Sequence, residues 1–348
     1  MKKFVFLFLA AAVAAMAAGC GQEETEEASY YESEYGLDGV SGTYTLTVQT
    51  HDPSYAVSGV FLADWAESIE QASGGHIEIE INYGASQGGA GDTAYMVRNG
   101  ICDIGWGMQK DYSGWFPATE VFSLPFLGIG SAEQGSAALW EFWETTGYMD
   151  EEYAGYHVLL LHTGCQSPYA VVEGSYGIEL NGHTVSVDTS PMTSFVQKLD
   201  ALPLDVSNKV LYDDFEDKTV DGCIKSWDML DFLSMDAVIS GYMDEDFGVN
   251  TYFLLMNQES YDGLPEALQQ VIDEKSEEAL QYVYLWDDAE AEAKAAVSGK
   301  IYQSQDRVAM EEAAAQAAEE WVSDMCDNGY DGQGIYEAAL QCIREAEE

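Results

Sequence analysis

The chain has 348 residues, 62 of them acidic and 13 basic, for a formal charge of −49. That balance excludes nucleic acid and anionic membrane surfaces as partners, because too few cations are present to neutralise phosphates. With 47% hydrophobic residues and aromatics throughout, there is enough apolar material for two domains with their own cores.

The first residues read as an export signal. Lys2 and Lys3 precede the apolar run Phe4 to Ala18, which is shorter than the roughly 20 residues that span a bilayer. Ala17-Ala18-Gly19-Cys20 has the form of a lipoprotein cleavage site, with Ala17 where Leu is usual. The expectation is a signal peptide over 1–19 and a lipid on Cys20 that tethers a soluble body to the membrane. Residues 20–42 hold Glu23, Glu24, Glu26, Glu27, Glu32, Glu34 and Asp38 with no basic residue. They cannot bury enough apolar surface to offset ordering, so a disordered acidic tether is predicted, with its tyrosines, Tyr35 among them, solvated.

The body opens with the alternating strand Thr43 to Thr50 and a turn at Asp52-Pro53. Tyr55 to Ala72 has helical periodicity, stopped by Ser73-Gly74-Gly75. A half-buried strand, His76 to Tyr83, leads through a glycine-rich loop to a short helix, Asp92 to Arg98, and a strand, Ile101 to Gly105. This order argues for an α/β domain with a largely parallel sheet. A helix over Ala132 to Thr146 and a buried strand over Tyr156 to Leu161 follow. A second α/β series runs from Thr184 to Lys225, and Asn250 to Asn257 is a return strand. One long helix is expected from Pro265 to Val297, then two shorter ones. Cys102, Cys165 and Cys223 read as core residues, and the sequence leaves open whether Cys326 and Cys342 pair.

Five blocks in order resemble the TRAP-transporter solute receptors of the DctP type. They are Gly91 to Gly105; Phe116-Pro117 through Val121 to Leu127; Leu180-Asn181-Gly182 through Pro191-Met192 to Leu204; Leu211-Tyr212 through Val220-Asp221-Gly222; and Met256-Asn257 through Tyr261 to Gln269. The resemblance covers Thr43 to Glu348. It implies a bilobal, type II periplasmic-binding-protein-like fold: two α/β domains with crossing strands and a long bracing C-terminal helix. It also implies a receptor without catalysis or cofactor, closing around one small solute, most often an organic acid, and handing it to a membrane permease. The lobes are expected at 43–163 with 251–290, and 164–250 with 291–348.

The family's usual arginine, in the strand after its Leu-Lys-Gly motif, falls on Ser186, and the asparagine after Val-Asp-Gly falls on Lys225. Arginine matters because its planar fork takes a carboxylate by two hydrogen bonds. Only Arg98, Arg307 and Arg344 exist. Two readings of Lys225 follow. It supplies the missing positive charge to an acid, or it pairs with a protein carboxylate such as Asp228 while the solute is not a simple acid. Other candidates end strands: His51, Asp52, Ser86, Gln87, Trp106 and Gln109 in the first half, and Gln166, Tyr169, Asp188, Met192 and Trp227 in the second. Trp106 and Trp227 read equally as core residues, and Asp188 reads more naturally as a helix cap.

Gly84-Ala85-Ser86-Gln87-Gly88 matches Gly-x-Ser-x-Gly, so a cell-surface serine hydrolase using Ser86, with His162 or His183, is the enzyme alternative. An adhesive surface lipoprotein is a third class. No metal site is expected. His157 and His162, five apart in one strand, read as facing opposite sides, and the loop after Asp327 lacks the closing glutamate of a calcium site.

Overall fold

The computed structural model describes residues 35–172 and 179–347. The export signal, Cys20 and the tether up to residue 34 lie outside the described residues. In chain order the elements begin with β1 (Tyr44–Gln49), α1 (Val57–Ala72), β2 (Ile77–Asn82), α2 (Thr93–Arg98), β3 (Ile104–Met108), α3 (Ala132–Thr146) and β4 (Tyr156–Gln166). Then come β5 (Tyr169–Val172), β6 (Thr184–Ser186), α4 (Ser190–Lys198), β7 (Leu202–Leu204), α5 (Leu211–Glu216), β8 (Gly222–Ile224), α6 (Trp227–Phe232) and β9 (Ile239–Met243). The chain continues with β10 (Val249–Asn257), α7 (Gln258–Asp262), α8 (Glu266–Glu277), α9 (Tyr284–Ala296), β11 (Ile301–Tyr302), α10 (Arg307–Asp327) and α11 (Gly332–Glu345).

Two sheets result, each the base of one lobe. The first has order β2-β1-β3-β10-β4, with β10 antiparallel to both neighbours. The second has order β11-β9-β5-β8-β6-β7. The chain crosses between sheets directly from β4 to β5 and from β9 to β10. These crossings touch, since the Ser167 N–H donates to the Gly248 carbonyl at 3.1 Å. Gly248 has φ +98°, and a Cβ there would lie 3.2 Å from the Leu124 carbonyl oxygen. The turn therefore needs glycine.

Local chemistry fixes the helices. In α1, Phe61, Leu62, Trp65, Ile69 and Ala72 fall on one face and are fully buried. In α3, the Ser131 hydroxyl accepts the Gln134 N–H, and the Asp287 carboxylate from α9 accepts the N–H groups of Ala132 and Glu133. A side-chain cap of this kind stabilises a helix by about 1 kcal/mol. Gly147 (φ +69°) ends it.

Several expectations need correction. The tether stops before residue 42: Tyr35 and Leu37 are buried in the first lobe's core, so their apolar surface anchors this stretch. The helix expected over 265–297 is broken by a 3-10 stretch, Glu278–Tyr282. Buried Ile272, Ser276, Ala279, Val283 and Trp286 keep steps of three and four across the break, so periodicity could not reveal it. The strand expected at 101–105 begins at Ile104, because Ile101 is 57% exposed in the turn after α2. Helix α10 also joins the lobes. Its first half (Met310, Ala313, Ala314, Ala317) packs in the second lobe's core, and its second half (Ala318, Trp321, Met325) packs in the first lobe's. Helix α11 lies against α3 of the first lobe. The five described cysteines are free thiols, with Cys326 exposed and Cys342 buried, so that pairing is not formed. Among the described residues no helix is long and apolar enough to cross a membrane.

Candidate functional site in the cleft

Strand ends from both sheets meet at Asp188. It follows β6 and is not a cap, since Thr189 caps α4 by accepting the Met192 N–H. Its carboxylate is instead held by two ammonium groups. Lys225, just past β8 and 3% exposed, pairs with Oδ1. Lys110, in the turn after β3 of the other lobe, stands 3.6 Å from Oδ2 and 3.2 Å from Asp111 Oδ1. Burial alone would lower the Lys110 pKa, but Asp188 and Asp111 outweigh it and raise the pKa above the usual lysine value. Lys225 thus pairs with a protein acid, and that acid is Asp188, not Asp228.

Lys110, Gln109, Asp188, Thr189, Asp205 and Thr251 line a cavity of about 460 Å³. A satellite of about 30 Å³ behind Asp188 reaches Lys225, Met192 and Asn250. Gln109 donates to the Tyr153 hydroxyl at 3.1 Å, while its Oε1 is buried without a partner. Lys110 lines the larger cavity, whereas Lys225 lines only the satellite, with Asp188 bordering both.

The other predicted residues scatter. Ser186 is fully buried, its hydroxyl makes no hydrogen bond, and it lines neither cavity. His51 stacks beside Trp106 with centroids 6.1 Å apart and pairs with Asp52 at 3.3 Å. Trp106 donates to His162 Nε2 at 3.2 Å and lies flat on Tyr252. With Asp52 it lines a second, separate cavity of about 270 Å³. Trp227 is core: its indole N–H reaches Asp244, and Lys294 sits over its ring. Gln166 is buried, with its amide donating to the Ile129 carbonyl. Tyr169 is buried against His183. Ser86 and Gln87 are exposed in the loop after β2 and line none of these cavities.

The hydrolase reading loses its base. His183 is bound to Tyr169 and His162 to Trp106 and the Thr163 carbonyl, both in the interior, while Ser86 is on the surface. The residues with positive φ in that loop are Gly84 and Ala85, not the would-be nucleophile. The two strand histidines also need correction. Met256 pairs with His157 and Tyr252 with His162, so five residues of β4 oppose four of β10. The extra residue, Leu159, is a bulge, and it turns both imidazoles to one face. They still bind elsewhere: His157 is 2.8 Å from Asp273 and stacked on Tyr261. Among the described residues no three His, Cys, Asp or Glu side chains form a metal cluster.

None of the three arginines enters the cleft. Arg98 lies over the rings of Trp115 and Tyr156, Arg307 pairs with Glu245 and Glu311, and Arg344 is exposed on α11. Lys110 is the residue that sequence reasoning missed. The available signal was its place directly after a strand that ends at the cleft, in a chain with only ten lysines.

Solved structures share this fold. A TRAP solute-binding protein from a marine metagenome, specific for aromatic acid ligands and co-crystallised with 3-hydroxybenzoate, superposes with TM-score 0.81 at 23% identity. That match covers 88% of this chain and all of the other. One from Rhodoferax ferrireducens, with copurified benzoate, gives 0.79 at 24% identity over 88% and 99% of the two chains. One from Roseobacter denitrificans, with bound β-D-glucuronate, gives 0.72 at 18% over 85% and 99%. Residues 49–325, most of the chain, match the DctP model, described as bacterial extracellular solute-binding protein, family 7, and the protein belongs to that family.

Proposed function

We propose that this protein is the extracytoplasmic receptor of a TRAP-type secondary transporter, capturing a small organic acid between its lobes and delivering it to a membrane permease. One observation carries the acid reading: Lys110 of the first lobe and Lys225 of the second converge on a single carboxylate, that of Asp188, at the edge of a solute-sized cavity. The cleft thus already seats a carboxylate between ammonium groups from both lobes. A solute acid would draw Lys110 from Asp111 or Asp188 and bond the free Oε1-bearing edge of Gln109 through its own hydroxyl or N–H groups. Contacts to both lobes would favour the closed form.

In this reading the lobes are 43–163 with 251–290 and 164–250 with 291–348, except that α11 travels with the first lobe, against α3. The lipid on Cys20 and the acidic segment after it keep the receptor near its permease. Relatives bind benzoate, 3-hydroxybenzoate, mandelate and glucuronate, which makes these the first compounds to try. Thermal melting of the purified protein with each acid should show a rise in Tm for at least one. That rise should vanish in Lys110→Ala. No rise with any acid, or an equal rise in the variant, would overturn the reading.

A further inference from the structure

Glu152, in the turn between α3 and β4, lines none of the cavities, yet it is tied to the wall of the largest. Its carboxylate accepts the N–H groups of Ala118 and Thr119 and, at 2.8 Å, the Thr119 hydroxyl. These donors open the 3-10 turn Thr119–Ser123, so Glu152 caps that turn from a distant segment. The turn carries Glu120 and Ser123, which do line the cavity. Glu120 in turn accepts the Trp321 indole N–H at 3.0 Å, and Trp321 belongs to the same wall. A second connection runs through hydroxyls. The single Thr119 hydroxyl proton goes to Glu152, so the Tyr153 hydroxyl, 3.1 Å away, must donate to Thr119 Oγ1. The Tyr153 oxygen is then left to accept, and it takes the Gln109 amide at 3.1 Å. An ionised Glu152 therefore fixes which end of the Gln109 amide faces Tyr153, and Oε1 is the end without a partner.

We propose that Glu152 is a positioning residue for the solute cavity, whose charge state sets the placement of Gln109, Glu120 and Trp321, so that an acid solute is captured together with a proton. Charge and geometry act in the same direction. An ionised Glu152 repels the Glu120 carboxylate beside it and any anion in the cavity, and a proton taken from water removes that repulsion. A protonated Glu152 can also donate to Thr119 Oγ1, which releases the direction of the hydroxyl chain down to Gln109. Burial brings the Glu152 carboxyl to about 7, so both forms are populated near neutral pH. The other titratable and charged groups around it are Glu120, Tyr153, Tyr156 and Arg98. Burial raises Glu120 and both phenols above their usual values. The Arg98 guanidinium is directed at the Ala154 carbonyl, 2.9 Å away, and at the Tyr156 ring. The proposal rests on the receptor reading for an acid, and adds the residue that couples its capture to pH.

Two measurements on the whole protein test it. The Trp321 indole N–H resonance, read by heteronuclear NMR and assigned by its loss in Trp321→Phe, should shift with a midpoint near the Glu152 value of about 7. That step should be absent in Glu152→Gln, which keeps an acceptor for the cap and cannot ionise. Benzoate and glucuronate are then titrated calorimetrically at about pH 6 and about pH 8, where at least one should bind about three- to tenfold more tightly at the lower value. Glu152→Gln should bind that acid equally at both, near the wild-type affinity at the lower pH. Glu152→Ala, which also loses the cap, should bind it more weakly at both, whereas a residue that only holds the fold would not separate the two variants in this way. A Trp321 signal that moves alike in wild type and Glu152→Gln, or does not move, would overturn the proposal. So would acid binding whose pH dependence survives in Glu152→Gln or is missing from wild type. A Glu152-dependent step at Trp321 without binding of either acid would sink the acid reading, and proton-coupled capture with it, while supporting the positioning role.

Discussion

Lys110 Nζ of the first lobe stands 3.6 Å from Asp188 Oδ2 of the second, while Lys225 holds the other oxygen of the same carboxylate. One carboxylate is therefore shared by two lobes, and a solute acid must compete with it.

That competition has a sign. Lys110→Ala should weaken an organic acid about tenfold or more, and cost roughly 1–2 kcal/mol of stability, because Lys110 and Asp188 are both mostly buried. Lys225→Ala should cost roughly 1–3 kcal/mol of stability, since Lys225 is buried and its loss leaves Asp188 half-paired. Asp188→Asn should tighten acid binding by removing the internal competitor. Calorimetric titration and urea unfolding of the three variants read these effects; weaker acid binding in Asp188→Asn would count against competition.

Two buried groups act on stability in opposite directions over one pH range. Burial raises Glu152 to about 7, against hydrogen bonds from Ala118 and Thr119 that favour its charge. The folded state then holds its proton more tightly than the unfolded chain, so this group costs stability as pH rises from about 4.5 to 7. Burial lowers His162 to about 4. The unfolded chain binds that proton more tightly, so this group adds stability as pH rises from about 4 to 6.5. Their contributions largely offset. Urea unfolding between pH 4.5 and 7 should show Glu152→Gln gaining stability with pH more steeply than wild type, and His162→Gln less steeply. Parallel curves for all three proteins would refute both assignments.

Gly248→Ala tests the crossing. Positive φ and a Cβ at 3.2 Å from the Leu124 carbonyl oxygen combine backbone strain with a clash against main chain, which cannot swing aside. A loss of about 1–3 kcal/mol is expected, together with altered solute affinity if this turn serves lobe closure. The unfolding midpoint in urea gives the first quantity, and an unchanged midpoint would show that the turn is not strained.

Gly135→Ala isolates a packing contact. Helix propensity alone would make this change stabilising by about 1 kcal/mol. The new Cβ, however, would fall inside contact distance of Thr163 Oγ1 on β4 and 2.8 Å from Ile129 Cγ2. A net loss of about 1–3 kcal/mol is expected. Thr163→Ala in the same chain should recover part of it, a non-additivity that a double-mutant cycle measures.

The sequence was most legible where one residue pattern served one partner. The helix at 132–146, capped by Ser131 and closed by Gly147, falls at its expected bounds, and β1 and β2 show the alternation their faces require. Strands β5 and β9 escaped notice because Tyr169 to Val172 is buried on both faces and Gly241 interrupts the other. The bulge at Leu159 is invisible in a run of leucines, since only the pairing partner defines it. At the cleft, motif register pointed to Lys225, which does pair with Asp188, and to Ser186, which lines neither cavity. Lys110 was missed because a lysine in a turn reads as solvated until Asp188, 78 residues later, is placed beside it. The second cavity was less legible still: Asp52, Asp228, Tyr252 and Trp286 meet only once four separate segments fold together.

The scarcity of guanidinium groups has a consequence for what the receptor can tell apart. A planar fork fixes the plane of a carboxylate and so reports the shape attached to it. An ammonium is a compact charge that accepts approach from many directions. A cleft whose accessible cation is Lys110 measures the presence of a negative group more than its orientation. Discrimination among acids then falls to the walls, and such a receptor would serve as a scavenger of a chemical class, tolerant of congeners that an arginine-based site would turn away.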